Sequence, residues 1–186
     1  MNYLDNYHRW LESDAVDEDT KKELREIQGN PEEIESRFTS MLEFGTAGLR
    51  GVMQAGLNGM NVYTVRHATQ AFANIIRNCG ESIGDGVTIA HDCRNNSRAF
   101  ACEAASVLMA NGIHVNLFED LRPTPELSFA IRETGSIAGI NITASHNTKE
   151  FNGYKAYWAD GAQMPPEHAE KVSQEMARID IFDDIQ

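Results

Sequence analysis

The chain holds 186 residues, 41% of them hydrophobic and 24% charged, a balance that supports a packed globular core and argues against disorder. Sixteen Lys and Arg face 28 Asp and Glu, a net charge of −12, so the basic footprint that nucleic acid or an anionic membrane would need is missing. No window is apolar for long enough to span a bilayer, and the polar, mixed Met1–Arg9 start is unlike a signal peptide.

The first forty or so residues read as acidic helices. Asn30 and Pro31 place a cap and a first-turn proline together, with Glu33 where a capping-box partner belongs. A glycine-dense stretch from Gly45 to Gly59 follows, too irregular for a helix and suited to a loop with a short strand. Val62, Val65, Ala68, Phe72, Ile75, Ile76 and Cys79 then share one helical face, with Asn61 to cap the helix and Gly80 to stop it. Gly86–Ala90 reads as a strand, Ser97–Asn111 as a helix ending at Gly112, and Ile113–Phe118 as a strand. Pro125–Thr134 is a short helix, Ile137–Ile142 and Tyr154–Trp158 are strands, and Glu167–Ile179 is the last helix. This alternation implies a three-layer α/β/α sandwich with a mixed, mostly parallel sheet. Ligands of such sheets bind beyond the carboxyl ends of the strands, which directs attention to the segment after Ile142.

That segment, TASHNTKEFNGYK from Thr143 to Lys155, is unusual for a connection. Ser145 falls where a strand hands over to a turn, so its hydroxyl can project from the sheet edge. His146 and Lys155 are nearby donors, and Lys149 adds positive charge against the single acid Glu150. Asn147, Asn152 and Gly153 tolerate left-handed backbone and can let the segment fold back. A cationic pocket in an acidic body suits an anionic small molecule. Equally, Ser, Asn and Gly are ordinary turn residues. A hydrolytic triad fits poorly, because there is no Gly-x-Ser-x-Gly elbow and adjacent Ser145 and His146 tend to diverge.

A second candidate is FGTAGLRG, Phe44–Gly51, in which three glycines surround Arg50 and could bring backbone amides close to an anion. It is neither a Walker loop nor a dinucleotide fingerprint, and taken alone a glycine-rich turn with a solvated Arg50 is the default reading. Arg94 could reach a phosphate or pair with Asp92, and the pairing is the preferred reading; Arg98 adds little. His91 and His114 have no partner at metal-ligand spacing. Cys79, Cys93 and Cys102 show neither disulfide nor metal spacing and read as buried or idle thiols of a reducing cytoplasm.

GTAGLRG and TASHNTKEFNGYK, about a hundred residues apart, together with RPTPELSFAI from Arg122 to Ile131, strongly resemble the α-D-phosphohexomutases, the phosphoglucomutase/phosphomannomutase family. Within it the chain is most similar to the branch of phosphoglucomutase-2 and phosphopentomutase-like enzymes. The resemblance implies that Ser145 carries the phosphoryl group, that His146 and Lys155 assist proton transfer, with Lys155 the better general base, and that Arg50 lies beside the phosphoserine. It implies phosphate or substrate contacts from Thr46, Gly48, Arg50, Asn147 and Lys149, and a Mg²⁺ ion held by Ser145 through a phosphate oxygen and by three aspartates of an Asp-Gly-Asp-Gly-Asp-Arg loop.

That aspartate loop does not occur in these residues, nor do the sugar-selecting loop and the Arg-x-Ser-Gly-Thr phosphate loop; Thr148 stands where many relatives have proline. The expectation is therefore the first domain of a four-domain enzyme: a helical extension over 1–43, the phosphoserine domain over 44–186, and domains 2–4 absent from this chain. Its implied partners are a sugar phosphate, the missing domains and a glucose 1,6-bisphosphate-type activator. A non-catalytic sugar-phosphate-binding or regulatory module is the alternative, and a serine hydrolase a distant third.

Overall fold

The structure is a computed structural model and describes residues 2–45, 48–80 and 85–186. Three short helices open it: α1 (Tyr3–Glu12), α2 (Glu18–Glu26) and α3 (Pro31–Phe38). Each starts at a side-chain cap. Asn2 and Asp5 form a reciprocal capping box, Asp17 accepts from the Thr20 amide, and Asn30 accepts from the Glu33 amide ahead of Pro31. The expected return bond from Glu33 is replaced by an ion pair. Its carboxylate turns to the Arg37 guanidinium one turn on, 2.9 Å from Nε, because that arginine lies against it at i+4.

These helices bury Tyr7, Trp10, Leu24, Ile34 and Phe38 in a core shared with Leu57, Tyr63 and Ile181. Trp10 sits at its centre, edge-on to Phe38, Tyr63 and Phe182 at centroid distances of 5.8, 5.1 and 5.4 Å, the arrangement aromatic quadrupoles favour. Arg9 fastens the last turn of α1 to the carboxyl-terminal segment through Asp180, 2.6 Å away.

The main body is a five-stranded sheet of β1 (Leu49–Val52), β2 (Val87–His91), β3 (Val115–Leu117), β4 (Ala138–Ile142) and β5 (Phe151–Trp158), in the order β1-β5-β4-β2-β3. Only β5 runs against the others, pairing antiparallel with both β1 and β4. Helices α4 (Val62–Asn78), α5 (Ser97–Ala110) and α7 (Pro166–Met176) cover one face, over Val87, Ile89, Ala138, Ile140, Ile142, Tyr154 and Ala156. The opposite face carries α6 (Thr124–Thr134), whose Leu127 and Ile131 pack on Ala90 and Tyr157. Two right-handed crossovers require this split, since β2 to β3 and β3 to β4 run in opposite directions along the sheet. Covered on both sides, β2 and β4 are buried at every position.

Helix α4 begins at Asn61, which exchanges side-chain bonds with Thr64, and gives way at Gly80 with φ +79°. Helix α5 likewise stops ahead of Gly112, φ +75°. Strand β5 starts three residues before the expected Tyr154, and β3 is shorter at both ends than Ile113–Phe118. All three cysteines are free thiols, but Cys93 and Cys102 are exposed rather than buried. Among the described residues no helix is long and apolar enough to cross a membrane.

Candidate functional site

The order of strands reverses between β2 and β4, and the chain leaves both at the same end. Asp92–Arg94 follow β2, and Thr143–Ser145 follow β4, so both segments reach the crevice where an open α/β sheet receives ligands. β5 then returns from that end and carries Lys155 past Ser145. Lys155 Nζ donates to Ser145 Oγ at 2.7 Å.

Ser145 is exposed and its backbone is left-handed, φ +56°, one of two non-glycine residues so held among those described. The fold-back expected at Asn147, Asn152 and Gly153 therefore falls on Ser145 itself. Asn152 is instead fully buried, bonded through Nδ2 to the Asn95 carbonyl and Ser97 Oγ. Gly153 is squeezed between strands, where a Cβ would stand 2.7 Å from the Thr143 carbonyl oxygen and 2.8 Å from that of Leu49.

A cleft of about 350 Å³ opens beside Ser145, lined by Glu43, Gly45, Gly48, Leu49, Arg50, Thr143, Ala144 and Lys155. Two cations face one acid there, so the cleft can attract and neutralise an anion. Arg50 projects from β1 and its Nη1 donates to Asn147 Oδ1 at 3.3 Å, joining the two candidate motifs across 97 positions of sequence. Gly48 forms part of the wall at φ +81°, a position where a Cβ would overlap the Tyr154 carbonyl. Behind Lys155, burial pushes the Tyr154 phenol far up, only partly offset by its bond with Thr69. It stays neutral and structural.

The amides of Gly45 and Gly48 donate to each other's carbonyls, at 3.1 and 2.8 Å, so they are engaged within the glycine-rich turn itself. Thr46 lies outside the described residues. His146 and Glu150 are exposed and line no cavity around Ser145. Asn147 and Lys149 edge a second hollow, of about 460 Å³, with Asp92, Cys93, Arg94 and Asn95. Ser145 borders both.

Arg94 does pair with Asp92, 3.3 Å from Nε to Oδ2, but it does more. Its Nη atoms donate to the carbonyls of Ser145, Asn147, Thr148 and Phe151 at 2.7–3.1 Å. The sequence carried no signal of this, since composition does not tell where the carbonyls of a loop point.

The described residues do not form a magnesium site by themselves. They contain no cluster of three acidic, histidine or cysteine side chains able to hold a metal, and the cleft sets one carboxylate, Glu43, beside two cations.

The site is thus an exposed, left-handed serine in a cationic cleft at the topological switch point of an α/β/α domain. The family model for "Phosphoglucomutase/phosphomannomutase, alpha/beta/alpha domain I" matches residues 41–181. The phosphopentomutase of Homo sapiens is 39% identical over 173 residues, covering 89% of this chain and 28% of the human protein. The phosphoglucomutase of Staphylococcus saprophyticus is 39% identical over 172 residues, covering 92% and 30%. A solved phosphoglucomutase/phosphomannomutase family protein from Burkholderia thailandensis superposes with a TM-score of 0.60 at 26% identity, over 73% of this chain and 30% of that one. The chain belongs to the phosphoglucomutase/phosphomannomutase family, as its first, α/β/α domain. It spans about three-tenths of the length of the curated relatives it matches.

Proposed function

We propose that this domain carries the phosphoryl group of a phosphosugar mutase on Ser145. The observation that carries the reading is the 2.7 Å hydrogen bond from Lys155 Nζ to the exposed Ser145 Oγ, in a cleft that Arg50 also lines. In the complete enzyme, phosphorylated Ser145 donates to the free hydroxyl of a sugar monophosphate: the Oγ–P bond breaks and a sugar O–P bond forms. Lys155 gives a proton to the departing Oγ and takes the one released by the incoming hydroxyl, so its own charge is restored. The bisphosphate turns over, and Ser145 then attacks its other phosphate by the reverse path. The net result interconverts a sugar 1-phosphate and 6-phosphate, or a pentose 1- and 5-phosphate.

Such transfers pass through a loose transition state with charge spread over three oxygens, and positioning with neutralisation supplies most of the catalysis. Arg50 and Lys155 suit that task. Asn147, tied to Arg50, and Gly48, in the wall of the cleft, would shape the phosphate pocket. His146 and Lys149, both exposed on the loop, would turn toward substrate only once the remaining domains close over it. Mg²⁺ would meet this chain through the Ser145 phosphate alone, with aspartates from another domain. In this reading residues 1–43 are a helical extension on a phosphoserine domain of residues 44–186, and the isolated domain does not interconvert sugar phosphates.

Intact-mass spectrometry after incubation with glucose 1,6-bisphosphate tests the reading. One added phosphate that maps to Ser145 and vanishes in Ser145→Ala supports it. Binding of the bisphosphate without any transfer favours a sugar-phosphate-binding module instead.

A further inference from the structure

Arg94 has no vacant hydrogen-bonding capacity on its guanidinium edge. Its Nη1 donates to the Thr148 and Phe151 carbonyls, its Nη2 to those of Ser145 and Asn147, and its Nε lies against Asp92. With its side chain only 13% exposed, it offers nothing to a phosphoryl group. Asp92 is used just as fully. Oδ1 accepts from the Arg94 amide and from Ser97 Oγ, and Oδ2 accepts from Thr143 Oγ1 at 2.6 Å. Thr143 Oγ1 in turn accepts from the Ser145 amide at 3.1 Å.

These bonds close a ring around one residue. The Ser145 amide is fixed through Thr143 and Asp92, and the Ser145 carbonyl through Arg94, which is itself held by Asp92. Fixing both peptide groups flanking a residue fixes its φ and ψ. A serine at φ +56° has no side-chain reason to be there, and such a conformation persists only where its surroundings over-determine it. Relaxed to an ordinary conformation, the same residue would swing its Cβ, and with it Oγ, off the Lys155 ammonium.

We infer that Arg94, acting with Asp92 and Thr143, is the positioning residue of the phosphorylation site: it touches no substrate and sets the reactivity of Ser145 by holding it in the left-handed conformation that presents Oγ to Lys155. The inference deepens the proposed function and rests on it for its chemical consequence, while its geometric consequence stands apart. Only a planar fork with five donors can gather four diverging carbonyls, so lysine cannot substitute here.

The test compares the full chain with its Arg94→Met, Arg94→Lys, Thr143→Val and Ser145→Ala variants, each checked by circular dichroism for a folded state. Amide hydrogen exchange at Ser145, followed by nuclear magnetic resonance, reads the geometry. Exchange accelerating about tenfold or more in Arg94→Met and Arg94→Lys, with the α4 and β2 amides unchanged, supports the inference. An unaltered Ser145 amide in either folded variant overturns it, and Thr143→Val reports on the other half of the ring should both Arg94 variants fail to fold.

Phosphate uptake from glucose 1,6-bisphosphate reads the chemistry. The maximal rate should fall about a hundredfold in Arg94→Met, as expected for a small misplacement of a reacting group, while the half-saturating concentration stays put. A raised half-saturating concentration at full maximal rate would instead make Arg94 a substrate ligand and overturn the inference. No uptake by the wild type, or uptake not lost in Ser145→Ala, removes the proposed function and leaves the positioning role to the exchange data.

Discussion

Gly48→Ala should damage this domain more than its single methyl group suggests. Two costs combine. At φ +81° an L-residue pays a conformational penalty, about 1–2 kcal/mol by the sterics that disfavour left-handed backbone. The new Cβ also meets the Tyr154 carbonyl and stands 3.0 Å from Lys155 Cα, both backbone atoms of β5 that no rotamer change can move. Relief requires β1 and β5 to separate at the Leu49–Tyr154 pair, and forced overpacking of this kind costs about 1–3 kcal/mol. A total near 3 kcal/mol lowers the melting temperature of a domain this size by about 6–12 °C. Gly135→Ala is the matched control: φ is +67°, yet nothing lies within 4 Å of the added Cβ, so it pays the conformational cost alone. Urea unfolding of both variants, followed by circular dichroism, measures the difference. Equal losses for Gly48→Ala and Gly135→Ala would show that the approach to β5 has no energetic weight and refute the reasoning.

Three further outcomes are expected. Lys155→Met removes the proton partner of Ser145, so phosphate uptake measured by intact mass should slow by about 10²–10⁴-fold, the usual worth of general acid–base assistance. The Arg9 side chain holds the Asp180 carboxyl down to about 2, so the unfolded chain binds the proton first on acidification. That stability is present above pH 4, is lost as pH falls toward 2, and in Asp180→Asn the acid unfolding curve should flatten over this window. Trp10→Ala empties the centre of the aromatic cluster and should cost about 3–5 kcal/mol in denaturant unfolding, with α1–α3 losing amide protection first.

Most of the architecture follows from local chemistry. Asn30 with Pro31, and Asn61 ahead of a helical apolar face, cap helices because their side chains serve orphan amides, and Gly80 and Gly112 end helices because they adopt positive φ freely. The Glu33 departure is local, an i+4 pairing with Arg37, whereas those around the site come from tertiary contacts. Asn152 and Gly153 read as turn formers, yet they sit in β5 because Asn152 finds buried partners on the Asn95–Ser97 segment and Gly153 is the only residue thin enough for its place. Ser145 was visible as a hydroxyl at a strand end with lysines near it. Its left-handed backbone was not, since the bonds that impose it come from Asp92 and Arg94, more than fifty positions away.

The reversed direction of β5 has a consequence for how the pair is kept together. Lys155 lies opposite Asn141 in the β4–β5 ladder, one residue from Ala156, which points into the hydrocarbon interior. Because side chains alternate, a slip of one rung would drive the ammonium into that interior and turn an alanine toward Ser145. Correct alignment of this hairpin and a charged partner for the serine are thus a single event, so misfolded chains should lack the pair altogether rather than hold it loosely.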